Sequence, residues 1–472
     1  MRQMTRGGEG KPEMNGAHGF AHAQIARLPR VLIVGYNFDL VTGGGITLTN
    51  LFKGWPLERL AVADFHACEV DPAPCSRQYL LGSEERHWTW PVSLVAPKGG
   101  QPSIPDPVPG PRMTPKTSAP TDGPPKGSLP ISRRAVAAGV RILGGQEVLR
   151  SLSSSPRLVE WTRDLRPDLI YTQLASLGMI RLVTQLAERL ELPIALHIMD
   201  DWPSTIYDGG LLGPHFRAET DRSFRAIVAH AAATMAISQR MADVYRVRYS
   251  REWDVFHNPV DIGKWTPTRR RDWSLRDTFR LIYAGRVGQG IESSLVDICL
   301  AVAALKRAGL NVHLDIFTPS QAASSALSLA TYDGVSVHPA IEDDAMPETL
   351  ASADLLVLPY DFTGRAAAFA CLSYPTKAPA YMATGVPVLV YAPREHALAV
   401  DAREKRWALT VSTPGVGGVA TAIRRLASDE DLRKGFAQRA VATCESLHDA
   451  RAVRQRFRSV LARSALPGSV SA

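Results

Sequence analysis

The chain has 472 residues, too many for one ordinary core, so two domains of about 150–200 residues are the starting expectation. Hydrophobic residues make up 45%, ample core material, and the formal charge of +8 fits an arginine-rich host or an anionic partner such as a membrane surface or phosphorylated ligand. Five scattered cysteines (Cys68, Cys75, Cys299, Cys371, Cys444) without a CxxC argue against a disulfide scaffold or zinc motif and fit a reducing compartment.

Residues 1–29 are polar, lack an apolar signal-peptide core, and are expected to be a disordered head. "RVLIVGY" (Arg30–Tyr36) reads as a buried strand ending in Gly, followed by "TGGGITLTNLF", a Gly-rich loop entering a helical pattern. "RLAVADF" is the second strand. Residues 97–130 hold eleven prolines and five glycines in 34 positions, which makes a packed core there implausible. They read as a flexible insertion inside the first domain, because strand–helix alternation resumes afterwards. "ISRRAVAAGVRILGGQEVLR" (Ile131–Arg150) sets Val136, Val140 and Leu143 on one helical face and Arg133, Arg134 and Arg141 elsewhere. Such a helix either lies on an anionic membrane or docks on its own domain.

From Pro167 the alternation is plain. "PDLIYTQ" is a strand, "GMIRLVTQLAERL" a helix, "LPIALHIM" a strand, and "DDWPSTIY" a loop at its end. "RAIVAHAAATMAIS" runs from helix into strand, "RMADVYRVRY" is a helix, and "WDVFHNPVD" closes a first domain of residues 30–261. Residues 262–278 read as a linker. A second domain, 279–445, restarts the pattern with "FRLIYAG", a long helix, "NVHLDIF", "GVSVHPA", "DLLVLPY" and "PVLVYA". A helical run from Asp431 ends in a segment, 446–465, expected to cross back to the first domain. Strands alternating with helices in both halves predict an α/β protein of two Rossmann-like parallel-sheet domains facing across a cleft. Ligands of such sheets sit at strand C-termini.

Four stretches fall at such ends. Gly43-Gly44-Gly45 lets backbone approach a ligand and opens a helix whose N–H groups suit an anion. His197, Asp200, Asp201 and Trp202 supply two carboxylates for general-base or hydroxyl-binding work and an indole able to stack on a sugar face. One aspartate capping the next helix, with Trp202 in the core, is the alternative. Arg286, after a strand and Gly285, can grip a diphosphate bidentately. In "SYPTKAPAYMATGVPVLVYA", Thr376 can cap a helix whose first N–H groups, with Lys377, form an anion site.

Taken in order, these stretches, with "AIS…HNPVD", "AGR" and "ADLLVLPY…YMATGVPVLV", resemble the GT-B glycosyltransferases of family 4. "HIMDDWP" and "PTK.P.YMATG.PVL" look like a bacterial subgroup that builds cell-surface polysaccharides. The resemblance runs from about Arg30 to Leu461 apart from the insertion. It implies sugar transfer from a nucleotide-sugar donor to an acceptor hydroxyl, of the hexosyl type and with retention, without a metal or other cofactor. Gly44, Gly45, Gly285, Arg286, Thr376, Lys377 and the Ala380 position would serve the donor, and His197, Asp201 and Trp202 the acceptor. Asp200, Asp201, Arg286 and Lys377 would carry the chemistry. Implied partners are the nucleotide sugar and a saccharide or lipid-linked saccharide, with peripheral contact at the inner membrane surface and no nucleic acid. The expected location is cytoplasmic.

The sequence departs from the family pattern in two places. Family members usually carry two glutamates eight positions apart where this chain has Leu372 and Ala380, the second holding the ribose hydroxyls. The lysine that commonly follows Arg286 is missing from the shortened "GRVGQGIES". A non-catalytic scaffold of the same fold, or a sugar-nucleotide epimerase using His338, Asp343 and Asp344, are the competing readings.

Overall fold

The computed structural model describes residues 28–68, 70–88, 150–207, 209–275, 277–319 and 324–466. The Pro-rich insertion and nearly all of the basic amphipathic segment fall outside these residues. Among the described residues, two parallel sheets dominate. The first joins β1 (Val31–Val34), β2 (Leu60–Asp64) and β3 (Arg77–Leu80) on one side. A short antiparallel pair, β4 (Arg86–Trp88) with β5 (Arg150–Leu152), stands outside it. The first sheet continues through β6 (Leu169–Thr172), β7 (Ile194–Ile198), β8 (Ala233–Ala236) and β9 (Asp254–Val255), in the order β3-β2-β1-β6-β7-β8-β9.

The second sheet contains β10 (Phe279–Ala284), β11 (Val312–Phe317), β12 (Val335–His338), β13 (Leu355–Pro359), β14 (Val388–Tyr391) and β15 (Leu409–Val411). Its order is β12-β11-β10-β13-β14-β15. The strands form because short β-branched runs can be buried on both faces once helices cover the sheet. Every residue of β1, β2, β6, β7, β13 and β14 is buried. Each large aliphatic side chain there contributes about 1.5–3 kcal/mol.

Topology sets the position of the site. Strand β1 pairs with β2 on one side and β6 on the other, and β10 pairs likewise with β11 and β13. Strand order reverses at these two places, which opens a crevice at the strand C-termini.

Three details differ from the sequence expectation. Leu28 and Pro29 belong to the ordered body: Arg59 Nη1 donates to the Leu28 carbonyl at 2.6 Å, and Trp55 Nε1 to that of Pro29 at 3.3 Å. The described part of the stretch read as a linker packs closely at Trp265, Arg270 and Trp273. Trp265 is buried, the Arg270 N–H donates to the Thr384 carbonyl at 2.8 Å, and Trp273 Nε1 donates to that of Gly385 at 2.9 Å. The terminal helical run breaks at His448, where Asp449 accepts from the Arg451 N–H and starts a new helix, Ala450–Ser464. That helix lies on the first domain, with Phe457 edge-on to Phe52 at 5.0 Å and to Phe256 at 5.4 Å. Val260 fixes the crossing by donating to the His448 carbonyl at 2.8 Å and accepting from Ala450 at 2.9 Å.

Candidate functional site

The second domain contributes a compact cationic corner. Strand β10 ends at Ala284, and the chain turns through Gly285 into an exposed Arg286. The helix Lys377–Ala383 approaches from the β14 side and sets Lys377 over this turn. Lys377 Nζ donates to the Tyr283 hydroxyl at 3.0 Å and lies 4.2 Å from the centre of its ring. Gly285 makes that approach feasible, because a Cβ there would stand 2.1 Å from Nζ. Burial, with the nearby Arg286 charge, pulls the Lys377 ammonium down from 10.5 to about 7. Two cations thus converge where strand order reverses.

Thr376 occupies the position before this helix, but its side chain does not cap it, contrary to the sequence expectation. Its backbone is already helical (φ −57°, ψ −26°), whereas a capping side chain calls for an extended residue. Its carbonyl instead accepts from Asn258 Nδ2 at 3.0 Å, a contact from the first domain. Ala380 is half-buried one turn beyond Lys377.

The first domain faces this corner with Asp200, just beyond β7. Its carboxylate accepts a hydrogen bond from the Ser373 hydroxyl of the second domain. Burial pushes Asp200 up to about 6, opposed by the Ser373 hydrogen bond and the Arg286 charge. One carboxylate and two cations therefore share a space that both domains enclose.

The neighbours of Asp200 do not join it. Asp201 turns into the first domain, accepting from Tyr245 Oη at 2.8 Å, Arg248 Nη1 at 2.7 Å and Ser204 Oγ at 2.6 Å. With both oxygens occupied and 6% exposure, it holds structure rather than an acceptor. His197 is fully buried, which removes it as an acceptor contact. Its Nε2 lies 3.0 Å from the Phe256 carbonyl, which can only accept, so Nε2 carries the proton and Nδ1 accepts from Tyr171 Oη at 2.7 Å. Burial lowers its pKa to about 3, so the ring stays neutral. Trp202 is 3% exposed and edge-on to Phe224 at 5.6 Å, a core residue and not a sugar platform.

The Gly-rich loop also has a more internal role than expected. A Cβ at Gly44 would meet Tyr36 Oη at 2.4 Å, and one at Gly45 would meet Asp39 Oδ2 at 2.1 Å. These glycines thus serve close packing within their own domain. The start of the helix Gly43–Phe52 is capped by Thr42, whose hydroxyl accepts from the Gly45 N–H at 3.0 Å and donates to Asp39 at 2.6 Å. A carboxylate therefore already stands at this helix start, which makes it a poorer anion site than the Lys377 corner. The loop still borders the cleft, since a Cβ on Gly43 would lie 3.8 Å from Thr376 Cγ2.

Residues 278–429 match the family model described as glycosyl transferases group 1. About nine-tenths of the chain also matches solved structures in fold. HepE from Anabaena in complex with UDP-glucose is 13% identical, with TM-score 0.55, covering 91% of this chain and 98% of that one. The architecture is GT-B. Sucrose-phosphate synthase from Thermosynechococcus elongatus gives TM-score 0.57 at 12% identity, covering 90% and 96%. A glycosyltransferase from Rickettsia africae gives 0.59 at 9% identity, covering 93% and 99%. At these identities the likeness is one of fold. No curated protein matches the sequence.

Within this GT-B frame, Arg286 and Lys377 stand together and Asp200 faces them, while Asp201, His197 and Trp202 point into the first domain. Tyr283 and Ser373 were not among the expected site residues. Tyr283 sits inside an apolar strand run and reads as core, and Ser373 carries no motif of its own. Among the described residues no group of three or more His, Cys, Asp or Glu side chains is placed to hold a metal ion, and no helix is long and apolar enough to cross a membrane.

Proposed function

We propose that the protein is a glycosyltransferase that moves a hexose from a nucleotide-sugar donor to an acceptor hydroxyl. The observation that carries this reading is the convergence of Arg286 and Lys377 at the strand-order reversal of the domain matching glycosyl transferases group 1. In this reading the two cations hold the donor diphosphate and offset the charge that grows on it as the sugar–phosphate bond breaks. Asp200, facing them, takes the acceptor hydroxyl or a hydroxyl of the transferred sugar. Titration calorimetry with UDP, GDP and ADP tests the reading, followed by a thermal-shift panel of nucleotide sugars. Saturable binding of one nucleotide is expected, and no binding of any overturns it.

The finer reading keeps the family 4 resemblance: retention at the anomeric carbon, no metal requirement, and a role in bacterial cell-surface polysaccharide assembly. The acceptor would be a saccharide or lipid-linked saccharide used at the cytoplasmic face of the membrane. NMR of the product anomer, activity in EDTA and co-sedimentation with anionic vesicles test these points separately. A non-catalytic role is favoured by one observation, Ala380 at the ribose-binding position, and would appear as nucleotide binding without turnover. The epimerase alternative has less support. His338 Nε2 is engaged with Asp315 at 2.7 Å, and Asp343 pairs with Lys264 at 2.7 Å on the surface.

A further inference from the structure

Tyr283 is a core residue with one polar atom, and both partners of that atom belong to the cationic corner. Its ring is fully buried in the second-domain core with Leu281, Val287 and Leu295. Its hydroxyl lies 2.5 Å from the Arg286 carbonyl and 3.0 Å from Lys377 Nζ. The proton positions follow from valence. A carbonyl can only accept and an ammonium can only donate, so the phenolic hydrogen goes to Arg286 and the phenolic lone pair takes a hydrogen from Lys377. Burial keeps the phenol protonated, raising it well above its usual value of 10. The ammonium then retains two N–H groups for a ligand, and its direction is set by the hydroxyl and the ring face together. The same strand end is fixed a second time, because Tyr381 Oη accepts from the Ala284 N–H at 2.8 Å.

We propose that Tyr283 is a positioning residue for a diphosphate ligand: its hydroxyl ties the Lys377 ammonium to the Arg286 turn so that both cations address one anion. The proposal rests on the glycosyltransferase reading for the identity of the ligand, and on the geometry of the corner for the role of the residue. The phenol acts on ligand only through Lys377 and Arg286.

The test is Tyr283→Phe, which keeps the ring and its packing and removes only the bridging oxygen. UDP, GDP, ADP and inorganic pyrophosphate are titrated against wild type, Tyr283→Phe, Lys377→Ala and the double variant. Tyr283→Phe is expected to weaken the bound nucleotide and pyrophosphate about tenfold, the scale of one hydrogen bond to a charged group. It is expected to add less weakening in the Lys377→Ala background than in wild type, because only its tie to the Arg286 carbonyl remains to be lost there, whereas a merely structural role would give additive losses. A pH series adds a second readout. Lys377 is faced by Tyr283 and Arg286; Tyr381 on its own helix and Tyr360 and Asp361 beyond β13 face Tyr283 in turn, and Asp200 from the other domain faces Arg286. Losing an acceptor for its charged form lowers its pKa, so the advantage of Tyr283→Phe over the double variant should vanish at a lower pH than that of wild type over Lys377→Ala.

Should Tyr283→Phe fail to fold, Gly285→Ala carries the test, since its Cβ displaces Nζ from the phenol while Tyr283 remains; weakened binding is again expected. Wild-type binding with Tyr283→Phe unchanged, or with fully additive losses, overturns the proposal alone. Wild type binding none of the four ligands overturns the proposal and the glycosyltransferase reading together, and binding only pyrophosphate overturns the reading while leaving the positioning role supported by the variants.

Discussion

The Ser373 hydroxyl donates to the Asp200 carboxylate across the boundary between the two domains. It is one of three such ties in a short stretch. Ser238 Oγ donates to the Leu372 carbonyl at 2.7 Å, and Asn258 Nδ2 to the Thr376 carbonyl at 3.0 Å. Residues 372–376 are thereby strapped to the first domain immediately before Lys377. The position of the lysine is consequently a property of both domains, although its helix belongs to one.

Asp200 also sits within the field of Arg286, where a bound diphosphate would have to share the cation with it. Asp200→Asn should therefore separate binding from chemistry. Nucleoside diphosphate affinity is expected to hold or to rise, because a carboxylate beside the anion is neutralised. Turnover with a nucleotide sugar is expected to fall by about 10²-fold or more, the scale of a lost acid–base or hydroxyl contact. Calorimetry and a product assay on the same preparation read the two effects. Equal losses in both would show that Asp200 only holds the domains together, and Ser373→Ala, which cuts that tie while keeping the carboxylate, supplies the comparison.

Arg286 and Lys377 were legible in the sequence because a strand end and a helix start are where cations meet a ligand in a parallel sheet. The direction of the "HIMDDW" side chains was not. Strand β7 is buried on both faces, so apolar alternation carries no inside–outside signal, and the place of His197 is settled only when Tyr171 of β6 and Phe256, just past β9, arrive beside it. Asp200 and Asp201 are adjacent and chemically identical. What separates them is Arg248 and Tyr245, more than forty residues later, which fold back to claim Asp201. The same limit hid Tyr283, whose ring obeys the strand pattern while its hydroxyl serves the site.

Removing either cation should cost binding, with different pH signatures. Lys377→Ala and Arg286→Ala are each expected to weaken nucleoside diphosphate binding by about 1.5–3 kcal/mol, roughly 10–100-fold. Lys377 is charged below about 7 and neutral above, so the wild-type advantage over Lys377→Ala should shrink as pH rises from 6 to 8. Removing Arg286 relieves Lys377 of a like charge and raises its pKa, so the advantage over Arg286→Ala should also narrow across this range, but by less, because burial is the larger cause of the Lys377 shift. Taking ratios at each pH cancels the ligand's own phosphate ionisation. A Lys377→Ala ratio that is flat across this range would place the ammonium outside the diphosphate contact.

Trp202 and Asp201 should behave as stability residues. Trp202→Ala empties a buried site against Phe224 and is expected to destabilise by about 3–5 kcal/mol. Asp201→Ala strands the buried Tyr245 hydroxyl and the partly exposed Arg248, for which about 2–3 kcal/mol is expected, below the value for a fully buried pair. Thermal or urea melts measure both. Unchanged melting with lost activity in either variant would return that residue to the substrate.

Ala380 offers the most direct check on how the nucleoside is held. It lies three residues after Lys377 on the same short helix, so the two share a face, and its half-buried methyl offers no charged acceptor where the family resemblance leads one to expect a ribose-holding carboxylate. Ala380→Glu puts a carboxylate there. A carboxylate accepting from ribose hydroxyls contributes about 1.5–3 kcal/mol, so the preferred nucleoside diphosphate should bind about 10–100-fold more tightly. Inorganic pyrophosphate has no ribose and should gain nothing, or lose slightly through the added negative charge near Lys377. The contrast between these two ligands is the measurement, made by calorimetry under identical conditions. A gain for the nucleotide alone would mean that the chain retains a ribose site with reduced grip. No gain, or equal changes for both ligands, would mean that this protein seats its nucleoside away from the helix Lys377–Ala383, and that its diphosphate corner works with a different geometry beyond the phosphates.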